Sequence, residues 1–227
     1  MQREGKMKLV FDSSSLISIS QSCLINVLGG LKKKMNAKFI IPKAVYAEAV
    51  ERPISIKRFE LNAIRIKKGV EQGWFSVQGV KDGHLMGEID GLANSCFSVR
   101  GRPVRLLQLG EVEALALIRE LEADALVIDE RTTRMLIENP RQLEKIMEAR
   151  KRKNVRVEER QAREFGQMFK GVAISRSIEL VALAYEFGLL GQELPRGKQS
   201  LEAALFALKY SGCAVSAREI NLFLQGR

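Results

Sequence analysis

The chain is 227 residues long, and its 37 Lys and Arg outnumber 27 Asp and Glu, for a formal charge of +10. A hydrophobic content of 46% with 6% aromatics suits a folded chain with a sizeable core and excludes a disordered basic tail. Cys23, Cys96 and Cys213 form no CxxC pair, which argues against a disulfide framework or zinc centre, and no apolar run approaches the roughly 18 residues of a membrane span.

In chain order, residues 8–11 read as a buried strand that runs straight into Asp12, Ser13 and Ser14. Asp12 also interrupts the N-terminal apolar stretch before it could serve as a signal core, so the expected location is the cytoplasm, with no membrane partner. The following "LISISQSCLINVLGG" predicts a helix ending at Gly29 and Gly30, then a basic turn and a strand over 38–41. Pro42 is expected to open the next helix, which carries Val45 and Ala49 on one face with Glu48 beside them. Phe59, Ala63, Ile66 and Val70 predict a further helix, followed by a strand around 74–77. Residues 78–104 have recurrent glycines and no period, and are expected to be a loop or irregular hairpin that contains the single histidine, His84, at the surface.

Gly110 leads the clearest unit, a helix through Leu115, Ile118 and Leu121 that turns at Asp124 into a strand ending on Asp129 and Glu130. Residues 131–170 carry 12 Lys and Arg against 6 Glu, with apolar residues at helical spacing, and read as a basic amphipathic arm spanning about 135–170. It is expected either to hold a polyanion through backbone phosphates or to pack on the domain or a second copy. Three helices close the chain, the last capped by Ser216 with Glu219. Alternation of strands and helices implies a parallel sheet covered on both faces.

Ligands of such a sheet bind beyond the carboxyl ends of its strands, where Asp12 and Asp129 both fall. If the two strands are neighbours, their carboxylates repel, and a hard divalent cation, Mg²⁺ or Mn²⁺, relieves the repulsion. Each acid also has a simpler reading: Asp12 as a helix cap, Glu48 as a surface residue, Glu111 and Glu113 as first-turn acids, and Asp129 with Glu130 as a turn. GxGxxG and GxxxxGK[ST] are absent, and Asp12-Ser13-Ser14 does not supply the DxD of a haloacid dehalogenase.

The strand ending in "DSSSL", then "IPKAVYAEAV", then "LGEVEALALIRELEADALVIDERTTR" resembles a PIN-domain nuclease of the VapC-like type, over roughly residues 8–51, 105–134 and 172–224. The resemblance implies one PIN-like domain over 1–227, a three-layer α/β/α fold with a mostly parallel central sheet, with the two longer segments as insertions. It implies that Asp12, Glu48, Glu111 and Asp129 are the catalytic metal-binding acids, supported by Ser13, Ser14, Glu113 and Glu130. It further implies Mg²⁺- or Mn²⁺-dependent endoribonuclease activity, as a toxin held by an antitoxin protein or as a processing enzyme. The alternative is a PIN-like protein that binds RNA or scaffolds a partner without cutting. RNA would lie along the arm at Arg150, Lys151, Arg152 and Lys153, and a homodimer is left open.

Overall fold

The computed structural model describes residues 6–151, 154–195 and 197–225. Five parallel strands form the central sheet in the order β3-β2-β1-β6-β8, where β1 is Met7–Phe11, β2 Ala37–Pro42, β3 Phe75–Gln78, β6 Ala125–Val127 and β8 Ala173–Ser175. The chain builds outward from β1 to β3, then returns across β1 to lay down β6 and β8, so the order reverses between β1 and β6.

Alternating side chains build the two faces. Leu9, Phe11, Phe39, Ile41 and Val127 enter one core, while Val10, Ile40, Leu126 and Ile128 enter the other. Because every inner position is apolar on both faces, the sheet must be covered twice. The first face is covered by α1 (Ser13–Gln21), α2 (Val27–Lys34), α4 (Lys57–Glu71), α10 (Ser177–Glu186), α11 (Lys198–Tyr210) and α12 (Ala217–Leu224). The Phe11 ring lies 5.0 Å from that of Phe39 and 5.4 Å from that of Phe75, which fixes three neighbouring strands to one another. The second face carries α5 (Gly83–Ala93), α6 (Leu109–Glu120), α7 (Arg131–Glu138), α8 (Pro140–Lys151) and α9 (Glu159–Met168). The expected three-layer α/β/α arrangement is therefore the one observed.

Several local expectations change. The first long helix is two: α1 stops at Gln21, Cys23 turns at φ +60°, and α2 runs through Gly29 and Gly30 instead of ending there. Pro42 closes β2 in an extended conformation, and the helix after it is short, α3 (Lys43–Tyr46) followed by a wide π turn (Ala47–Glu51) that carries Glu48. Residues 78–104 hold a helix as well as a hairpin. Asp82 caps α5 by accepting from the backbone N–H groups of His84 and Leu85, and that cap outweighs Gly87 and Gly91, which face open space. His84 is exposed, as expected.

The basic arm is folded against the molecule. Met135, Leu136, Leu143, Met147, Phe165 and Phe169 enter the second core. Its strand β7 (Val155–Val157) pairs antiparallel with β4 (Phe97–Val99), which also pairs with β5 (Arg102–Pro103), so the two extra segments share a small second sheet. Apolar spacing made the helices legible; the pairing of segments some 60 residues apart left no local mark.

Candidate metal and nucleic-acid site

The acids gather at the reversal between β1 and β6, where α1 and α6 diverge to opposite faces of the sheet. Asp12 follows β1 directly and is 3% exposed. Its Oδ2 accepts from the Ser14 backbone N–H at 2.9 Å and the Ser14 hydroxyl at 2.6 Å, so it caps α1. The same hydroxyl accepts from the backbone N–H groups of Asp129 at 3.0 Å and Glu130 at 3.2 Å. Ser15 adds a hydroxyl bond to the Val127 carbonyl, so the serines after Asp12 stitch the ends of β1 and β6 together. Ser14 is thus the supporting hydroxyl, while Ser13 offers Asp12 a backbone N–H.

Burial pushes the Asp12 carboxyl above its ordinary value, partly offset by the Ser14 and Ser13 hydrogen bonds and reinforced by the charge of Glu48. Glu48 reaches its place because Gly110 has no side chain: a Cβ there would lie 2.8 Å from Glu48 Oε2. Glu111, one residue further along α6, accepts from the Gln108 backbone N–H at 2.7 Å and from the Thr133 hydroxyl at 2.5 Å. Burial raises the Glu111 carboxyl to about 7 against those two bonds, and the charges of Asp12 and Glu130 add to the rise. Glu130 caps α7, with Oε2 accepting from the Thr133 backbone N–H at 2.9 Å.

Asp129, just past the end of β6, makes a different set of bonds from the other acids. It is fully buried, and its two carboxylate oxygens are engaged by Ser177, Oδ1 by the backbone N–H at 2.7 Å and Oδ2 by the hydroxyl at 2.6 Å. Its carbonyl accepts from the Ala214 N–H, and the buried Cys213 thiol also faces it. The side chain therefore ties the end of β6 to the C-terminal helices, and the charge that Glu111 feels from this loop is that of Glu130. Period-2 patterning could not tell the two acids apart, because Ile128-Asp129-Glu130 leaves the strand at a turn. Glu113, expected to support the site, is 7% exposed and its Oε2 accepts from the Ala44 N–H at 2.5 Å, joining α6 to α3.

Among the described residues no group of three or more His, Cys, Asp or Glu is drawn tightly enough to form a ready metal cage. The acids are instead close electrostatic neighbours, in the pairs Asp12–Glu48, Asp12–Glu111 and Glu111–Glu130. The donor set still fits a hard divalent cation, since every donor is an oxygen and the charges of Glu48 on Asp12, and of Asp12 and Glu130 on Glu111, add to the rise that burial causes. Thr133 and Gly110 contribute to this geometry without having any signature in the sequence.

Of the expected nucleic-acid residues, Arg150 is exposed near the end of α8 and Lys151 ends that helix, while Arg152 and Lys153 lie outside the described residues. Just beyond, Arg156 of β7 and Arg100 of the β4–β5 turn line a cleft of about 500 Å³ with Asn154.

A family model described as a PIN domain matches residues 8–140, more than half of the chain and all of the acids above. The C-terminal stretch 172–224, part of the resemblance read from sequence, lies beyond that match. The searches of curated proteins and of solved structures returned no match.

Proposed function

Since the chain belongs to the PIN-domain family, we propose that it is a metal-dependent endoribonuclease whose divalent cation is held by Asp12, Glu48, Glu111 and Glu130. The observation that carries this reading is that four segments far apart in sequence deliver carboxylates to the reversal point of one parallel sheet, two of them raised by burial and by the charge of neighbouring acids. Mg²⁺ or Mn²⁺ bound there would neutralise charge on a scissile phosphate and lower the pKa of an attacking water. The protein's own part is positioning. Ser14 fixes Asp12 to the β6 end, Thr133 and the Gln108 N–H hold the two oxygens of Glu111, and Gly110 leaves room for Glu48. No protein nucleophile is needed, in keeping with a lone, exposed histidine.

The test is Asp12→Asn. It is expected to abolish Mg²⁺- or Mn²⁺-dependent cleavage of single-stranded or structured RNA with an unchanged circular dichroism spectrum, and undiminished cleavage removes Asp12 from the site. Anomalous scattering from Mn²⁺-soaked crystals, with a peak bounded by Asp12, Glu111 and Glu130, would locate the cation directly.

One observation favours a second reading, an RNA-binding or scaffolding protein that does not cut: the absence, among the described residues, of a closed ligand cage. RNA binding without cleavage in Mn²⁺, and no anomalous peak, would support it. A toxin restrained by an antitoxin is the narrower form of the nuclease reading, tested by whether induction halts growth and whether a small upstream gene product relieves the arrest.

A further inference from the structure

The N-terminal edge of the sheet, opposite the acids, holds two clefts with one aromatic wall between them. One, of about 390 Å³, is lined by Lys6, Lys32 and Lys33, and the other, of about 530 Å³, by Lys33 and Lys34; both share Gly29 and Trp74. Lys6 immediately precedes β1 and Asp12 immediately follows it, so the length of the strand separates these clefts from the acids.

Trp74 is held there by construction. Gly73 turns at φ +69°, and the Lys32 ammonium donates to its carbonyl at 2.6 Å, which fixes the loop ahead of the indole. Two glycines then clear a slot. A Cβ on Gly29 would stand 2.6 Å from Trp74 Nε1, and one on Gly69 would stand 3.1 Å from its Cε3. Packing on the first core accounts for part of the indole, which is half-buried, but not for the clefts that flank it.

Lysines at the end of α2 also favour the helix dipole, and that would suffice if acids balanced them. Among the described residues neither lining contains Asp or Glu. By contrast, the cleft lined by Arg119 and Lys170 also holds Glu122 and Asp124. An acid beside the second cleft, Glu193, is held by the Asn26 amide at 3.1 Å, and cations around a rigid aromatic are the combination that binds single strands, with phosphates on the cations and a base against the ring.

We propose that this edge is a second nucleic-acid site, in which Lys6, Lys33 and Lys34 contact the phosphates of a single strand and Trp74 meets one of its bases. The proposal stands apart from the acids and does not depend on whether they cleave RNA.

Trp74 is the only tryptophan, so its emission reports on this edge alone. The full chain is titrated with oligouridylate in EDTA, where no cleavage proceeds, while anisotropy of a labelled oligonucleotide follows total binding. Quenching that tracks binding is expected. Lys33 and Lys34 are exposed, so Lys33→Glu combined with Lys34→Glu leaves the fold intact; it is expected to weaken the quenching transition by about tenfold and to lower its salt slope. Binding without quenching, or quenching indifferent to the lysine variant, overturns the proposal. Equal quenching by polyglutamate at matched charge also overturns it and makes the edge a site for acidic polypeptides.

Discussion

At the scale of single residues, Glu111 and Glu130 each make a distinct prediction for the acid cluster. The Glu111 carboxyl is raised to about 7 from 4.5, chiefly by burial. A raised acid contributes stability that is fully present below its unfolded value and lost as pH climbs through the folded one. The metal-free protein is therefore expected to lose stability between about pH 4.5 and 7, by at most about 3 kcal/mol and less where water screens the half-buried carboxylate. Thermal melts of the wild type and Glu111→Gln in EDTA check this, because the variant should flatten that stretch of the profile. The same titration predicts that divalent-ion binding strengthens through neutral pH, as the proton leaves. Asp129 and Glu130 make opposite predictions. Asp129→Asn places an amide against two buried donors of Ser177, and is expected to cost about 1–3 kcal/mol in a denaturant melt. Glu130→Gln keeps an acceptor for the Thr133 N–H and so keeps the fold. It is expected to lower metal-dependent cleavage by about 100-fold or more. If Asp129→Asn alone abolishes cleavage at full stability, the assignment reverts to Asp129.

Elements meet at the site through very small residues. α3 and its π turn approach α6 closely because Gly110 leaves space for the Glu48 carboxylate, and Glu113 clamps the same contact through the Ala44 N–H. A methyl at Gly110 would press on the far end of a flexible side chain, not on backbone, so Gly110→Ala should leave the melting temperature unchanged or slightly raised, since alanine favours the helix by up to about 1 kcal/mol. Displacing Glu48 should nonetheless reduce cleavage, by as much as about 100-fold for a shift of about 1 Å. A parallel loss of stability and activity would instead make Gly110 a packing residue. The two extra segments behave as one element: β4 pairs with β7, and the Ser98 hydroxyl donates to Glu158 at 2.6 Å across the junction. That pairing brings Arg100 and Arg156 into one cleft, near the end of α8.

Over the whole molecule, a formal charge of +10 meets a site made of carboxylates, so attraction for a polyanion must come from surfaces other than the acids themselves. Neutralising Arg150, Lys151, Arg152 and Lys153 together is expected to weaken RNA binding and to lower the slope of log affinity against log salt by about 0.7 for each phosphate left without its cation. An unchanged slope would make the arm an element for binding protein. Among the described residues no helix is long and apolar enough to cross a membrane. By itself the sequence determined the layered α/β class and the strands that lead to Asp12 and Asp129, because strand and helix periodicities are local properties of neighbouring residues; Glu48 and Glu111 were singled out by the resemblance of their segments to PIN domains, not by any period. It could not decide which of Asp129 and Glu130 faces the cluster, that Glu113 is a clamp, that Gly29 and Gly110 make room for Trp74 and Glu48, or that residues 78–104 and 135–170 share a sheet. Those outcomes depend on which groups meet once distant segments pack, and hydrogen-bond partners brought together over tens of residues leave no period in the chain.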